Sequence, residues 1–76
     1  MLLNVGDVIQ VEGFVMLKNI DDGCSYRLIG IREYNGNSVY DFAKGKRGRV
    51  RYVSHYCYEI DYWLNNNSDI NYIKKI

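Results

Sequence analysis

Apolar and polar residues alternate through Val8-Ile9-Gln10-Val11-Glu12, with Ile9 and Val11 on one side and Val8, Gln10 and Glu12 on the other. A period of two predicts a half-buried strand. Gly6-Asp7 marks a turn before it, and Gly13 permits a bend after it. Phe14 to Leu17 is an unbroken apolar run that reads as the same strand continued through the bend. Lys18 to Gly23 is a loop ending in an Asp-Gly turn signal. Cys24 to Tyr34 is a second strand region. Tyr26, Leu28, Ile29 and Ile31 suit a pleated surface there, and Gly30 marks a bend or close packing. Asn35-Gly36 is the strongest hairpin signal in the chain. A third strand is predicted at about Ser38 to Ala43, a turn at Lys44 to Gly48, and a fourth strand at Arg49 to Val53. Val50 and Tyr52 share one face of that fourth strand; Arg49, Arg51 and Val53 share the other.

Ser54 to Asn67 fits two templates. As a strand, Tyr56, Tyr58, Ile60, Tyr62 and Leu64 alternate with Cys57, Glu59, Asp61 and Trp63. As a helix, Tyr56, Ile60, Trp63 and Leu64 form one stripe, with Ser54 as an N-cap and Asn65-Asn66-Asn67 as a left-handed end. Glu59 and Asp61 would lie in its early turns, where the helix dipole favours them. An unbroken strand from Arg49 to Leu64 would be long for so small a chain. The helix is therefore expected, followed by a last strand from Ile70 to Ile76.

Four strands, a short helix and a final strand suit a small closed or half-closed barrel, all-β or β-dominated, in which the last strand pairs near the first. This order, with Gly6-Asp7 before the first strand, resembles the SH3-like barrel, with a helix in place of the usual single turn before the last strand. An OB-fold fits less well, because its helix sits between the third and fourth strands. The spacing of Ser54, Ile60, Trp63-Leu64, Ile70 and Ile73 is similar to endings found in small proteins of Gram-positive phages and mobile elements. That resemblance covers the last third of the chain. It implies a source and a job, acting on host or defence components, and transfers no catalytic residue.

Seventy-six residues are expected to make one domain, residues 1–76, with modest stability. Eight tyrosines, two phenylalanines and one tryptophan supply much of its apolar area, and several tyrosines should keep their hydroxyls at the rim. With no proline in the chain, Gly and Asn must make the turns. No run approaches the roughly 18 apolar residues of a membrane helix, and Met1 to Asn4 lacks the features of a signal peptide. A cytoplasmic protein is expected, of the producing or infected cell. Cys24 and Cys57 give no disulfide framework there and read as packed small side chains.

Charge changes the picture most. The formal net charge is only +1, yet five of the ten basic residues, Lys44, Lys46, Arg47, Arg49 and Arg51, fall in one segment around Gly45 and Gly48. The remainder is net acidic. A local positive pole marks a surface for something anionic. The glycines permit close backbone approach, and Tyr40, Phe42 or Tyr52 is available for stacking. As a solvated turn, the same charges would simply guard a sheet edge against aggregation. Tyr58 and Tyr62 cannot both be buried on one helix stripe, and exposed tyrosines favour protein contacts. His55 and Cys57 are two residues apart and lack a third orienting group, so His55 reads as a partly exposed histidine. With Cys24 they make a poor metal set, and Asp21-Asp22-Gly23 lacks the further oxygen ligands of a calcium loop. A non-catalytic protein with no cofactor is expected. Three readings follow: docking on and blocking a host or defence protein through the basic hairpin and exposed tyrosines; nucleic-acid binding by the same hairpin; and capture of a small nucleotide.

Overall fold

A computed structural model describes residues 1–46 and 49–76, apart from the side chain of Lys46. Five strands and one helix follow in the order β1 (Val8–Glu12), β2 (Ser25–Tyr34), β3 (Asn37–Lys46), β4 (Arg49–Tyr56), α1 (Cys57–Asn65) and β5 (Tyr72–Lys75). All strand pairs are antiparallel, in one sheet ordered β4-β3-β2-β1-β5. This is the β-dominated architecture, with a short helix before the last strand, that the sequence predicts. The last strand does return to the first: Val11 lies opposite Ile73. Among the described residues no helix is long and apolar enough to cross a membrane.

The core follows the predicted alternation. Ile9 and Val11 of β1, Leu28 of β2, Tyr40 and Phe42 of β3, Ile60 of α1 and Ile73 of β5 are completely buried. Each aliphatic side chain so buried contributes about 1.5–3 kcal/mol. Phe42 packs edge-on between Tyr40 and Tyr26, with ring centres 5.8 and 6.5 Å away. Asn35 and Gly36 have φ of 50° and 78°, the two left-handed residues of a tight hairpin. The register between β2 and β3 shifts between Leu28 and Gly30, so Ile29 is left partly exposed.

Three expectations need correction. Phe14 to Leu17 is not strand: Val15 is buried while Phe14 and Met16 are exposed. Gly13, at φ 73°, turns the chain out of the sheet where its Cα meets the Ile70–Asn71 backbone. Residues 14–22 thus form an excursion pinned by single apolar anchors, Val15 and Ile20. Second, β3 runs on to Lys46 and β4 to Tyr56, because the ladder continues without a break from Val39↔Tyr56 to Lys46↔Arg49. Only Arg47 and Gly48, of the expected Lys44–Gly48 turn, lie outside the described residues.

Third, the helix starts at Cys57. Ser54 stays in the ladder opposite Asp41 and gives its hydroxyl to the Asp41 carboxylate. Glu59 does the capping, its carboxylate accepting the Tyr56 backbone N–H at 3.1 Å. At the far end Asn66 has φ −121°, so the expected left-handed cap is absent there; its N–H instead bonds the Tyr62 carbonyl at 2.9 Å. Cys57 and Ile60 are the buried helix positions, whereas Trp63 and Leu64 are partly buried against the core.

Candidate functional site

The β3–β4 hairpin extends past the end of the core. Phe42 and Val53 face one another on the core side, and two residues further out Lys44 faces Arg51 on that same side. The next pair in register is Lys46 and Arg49. Alternation therefore lays Lys44, Arg49 and Arg51 along one face of the ribbon. Gly45, Val50 and Tyr52 take the other face. Arg47 and the Lys46 side chain, both candidate contacts by sequence, lie outside the described residues. Lys44 Nζ is 3.4 Å from Asp21 Oδ2. Hydrogen bonding to the Cys24 sulfur, with a smaller effect from Asp21, holds the Lys44 ammonium above its ordinary pKa. Among the described residues neither Arg49 nor Arg51 has an ion-pair partner. A cavity of about 390 Å³ lies under this face, lined by Asn19, Asp21, Tyr26, Lys44, Arg51 and Val53, with Tyr52 at its rim.

The outer face of β4 carries the row Val50, Tyr52, Ser54 and Tyr56, the first three exposed and Tyr56 half-buried. Tyr52 is 72% exposed and Val50 54%. Tyr58, 63% exposed on the first turn of α1, stacks on Tyr56 with ring centres 5.4 Å apart and planes 7° from parallel. Tyr62, one turn further on, is also exposed and meets Trp63 edge-on. The predicted site thus divides. Lys44 and Arg51 sit at one end of β4, and Tyr58 and Tyr62 lie beyond the other. Tyr56 lies five positions beyond Arg51, about 17 Å along the strand. The row between them lies on the face opposite Lys44 and Arg51 and leads to Tyr58.

Sequence reasoning missed Tyr56 as a half-buried member of this row, along with a hollow of about 240 Å³ beside it. Arg32, Tyr34, Val39, Tyr56 and Glu59 line that hollow. Asp41 holds Arg32 through Nε at 2.9 and 3.2 Å, and the guanidinium carbon sits 5.9 Å above the Tyr34 ring. The Leu28/Gly30 shift puts Arg32 opposite Val39. A bulge reverses strand parity, so spacing alone could not place Arg32 on that face.

His55 corrects another expectation. It is buried, with Nε2 2.7 Å from the Lys18 carbonyl and Nδ1 3.5 Å from Glu59 Oε1. The ring ties the 14–22 excursion to the start of α1. Cys57 is buried, which pushes its thiol pKa up, while Cys24 is half-buried. Among the described residues no group of three or more His, Cys, Asp or Glu is placed to hold a metal ion. What the site offers is charge, tyrosine rings and open main chain. No protein-family model, curated protein or solved structure matches this chain.

Proposed function

We propose that this chain is a non-catalytic binding protein that docks on an acidic protein surface and blocks it, with β4 at the centre of the contact. One observation carries the reading: the like-charged neighbours Lys44 and Arg51 sit on one face of the hairpin, while the opposite face of β4 carries exposed Val50 and Tyr52 in a row that runs through half-buried Tyr56 onto Tyr58. Like charges directly across a ladder are unfavourable in the free protein. An anionic partner relieves that repulsion. Tyrosine and arginine are both enriched at protein contacts. The small net charge and the Asp21 carboxylate beside Lys44 favour a protein partner over a nucleic-acid backbone. The likeness of the last third of the chain to proteins of Gram-positive phages and mobile elements directs the proposal to a host or defence protein in the cytoplasm. The proposed role is inhibition by occlusion.

The test is a pull-down from a Gram-positive lysate, with and without nuclease, using the wild-type chain and Arg49→Glu/Arg51→Glu. The reading expects a protein that survives nuclease and is lost in the folded double variant. Retention by the variant would refute it. Loss on nuclease treatment would point instead to nucleic acid. In that case log affinity should fall steeply with log salt, and each neutralised phosphate contact should remove about one unit of slope.

A further inference from the structure

We infer that β4 is a strand-pairing edge, and that the partner contributes an extended acidic segment which adds to the sheet beside it. This rests on the docking reading above and specifies the chemistry of the segment that docks.

The sheet has two edges, β4 and β5. β5 is four residues long, and α1 packs against it more than against β4. β4 is eight residues long, and its ladder with β3 has no bulge. In an antiparallel ladder, alternate residues direct their N–H and C=O groups away from the neighbouring strand. Among the described residues no backbone hydrogen bond outside the β3 ladder reaches Arg49 to His55. The edge ends at Tyr56, where Glu59 takes the N–H. Sheets ordinarily protect such an edge with charged side chains, proline, a bulge or a covering loop. Here a regular edge stands open, with Val50 and Tyr52 exposed along it. Only its charge restricts what can pair.

That charge selects the occupant. A second copy would bring further Arg49 and Arg51 side chains to an edge that is already basic. An acidic strand neutralises them. Because strand side chains alternate, its residues on the face of Arg49 and Arg51 should be acidic, two apart. Those between them, on the face of Val50 and Tyr52, should be apolar or aromatic. The recognition pattern is therefore acid–apolar–acid–apolar in an extended segment, with main-chain bonds giving affinity and the alternation giving register.

Fluorescence anisotropy on the full chain tests this with three labelled peptides long enough to span β4. One alternates Glu with Val and Tyr. One has the same composition with its Glu residues grouped at one end. The third is the alternating peptide N-methylated at every second residue. The alternating peptide should bind. Grouping the charges, N-methylating the peptide, or introducing Arg51→Glu into the protein should each weaken binding about tenfold or more. Amide exchange should slow in β4 on binding. Equal binding by all three peptides would overturn strand addition while leaving charge-driven docking standing. No binding by any of them, or a free protein already dimeric with protected β4 amides, would also overturn it. The docking reading stands or falls separately, on the pull-down.

Discussion

Lys44 lies directly across the β3–β4 ladder from Arg51, two cations in register at the end of a strand pair whose inner neighbours are Phe42 and Val53. Packing does not require this arrangement, and charge opposes it. Function and stability should therefore separate at Arg51. Arg51→Glu places opposite charges across the ladder. It should leave the denaturation midpoint equal or higher while losing the partner. A clear fall in the midpoint would mean that Arg51 supports the fold, and the assignment of this face to binding would fail.

Tyr40 makes the opposite case, a polar group whose job is structural. Its ring is fully buried and its hydroxyl donates to Asp61 Oδ1 at 2.8 Å while accepting the N–H groups of Leu2 and Leu3. Tyr40→Phe leaves those partners unmatched and should cost about 1–3 kcal/mol. Burial pushes the Tyr40 pKa up to about 12 from its ordinary 10.0. The folded state thus favours the neutral phenol. Its contribution is whole below pH 10 and is lost as pH rises through about 12. Denaturant midpoints of the wild type and Tyr40→Phe should differ at neutral pH and converge across that alkaline window. A gap independent of pH would refute the assignment.

Two glycines should respond differently to alanine. A Cβ on Gly13 would sit 2.3 Å from both the Ile70 carbonyl oxygen and Asn71 Oδ1, at φ 73°. Gly13→Ala should cost about 1–3 kcal/mol from backbone strain, and more if residues 70–71 cannot shift. Gly45 has ordinary φ and nothing within 4 Å of the same position. Gly45→Ala should stay within about 0.5 kcal/mol of wild type. Comparable losses in thermal unfolding would contradict the close approach at Gly13.

On the helix, Ile60 should matter more than Trp63. Ile60 is completely buried, whereas Trp63 lies partly exposed against the core. Ile60→Ala should cost about 2–5 kcal/mol, with Trp63→Ala below it. Equilibrium unfolding of the two variants decides the order, and the reverse ranking would show that the stripe is wrongly placed.

Much of the fold was legible in the chain because strand alternation and turn chemistry are local. Ile9 and Val11 on one face, Asn35-Gly36 as a hairpin, and Val50 with Tyr52 opposite Arg49 and Arg51 all follow from a period of two and from which residues accept positive φ. The cluster of basic residues between Lys44 and Arg51 is likewise a property of sequence. Tertiary structure decided the rest. The helix starts at Cys57 because the ladder with β3 holds Ser54 to Tyr56 in strand, a pairing made with residues far back in the chain. His55 is buried because the Lys18 carbonyl and Glu59 come to meet it. Arg32 joins Tyr34 and Tyr56 because a bulge at Leu28/Gly30 resets parity. The open edge of β4 depends on sheet order, which is set when β5 pairs with β1 and leaves β4 paired with β3 alone among the described residues. Periodicity specifies which side of a strand faces inward. Which strands become edges, and which distant groups meet a buried side chain, is determined only when the non-local contacts form.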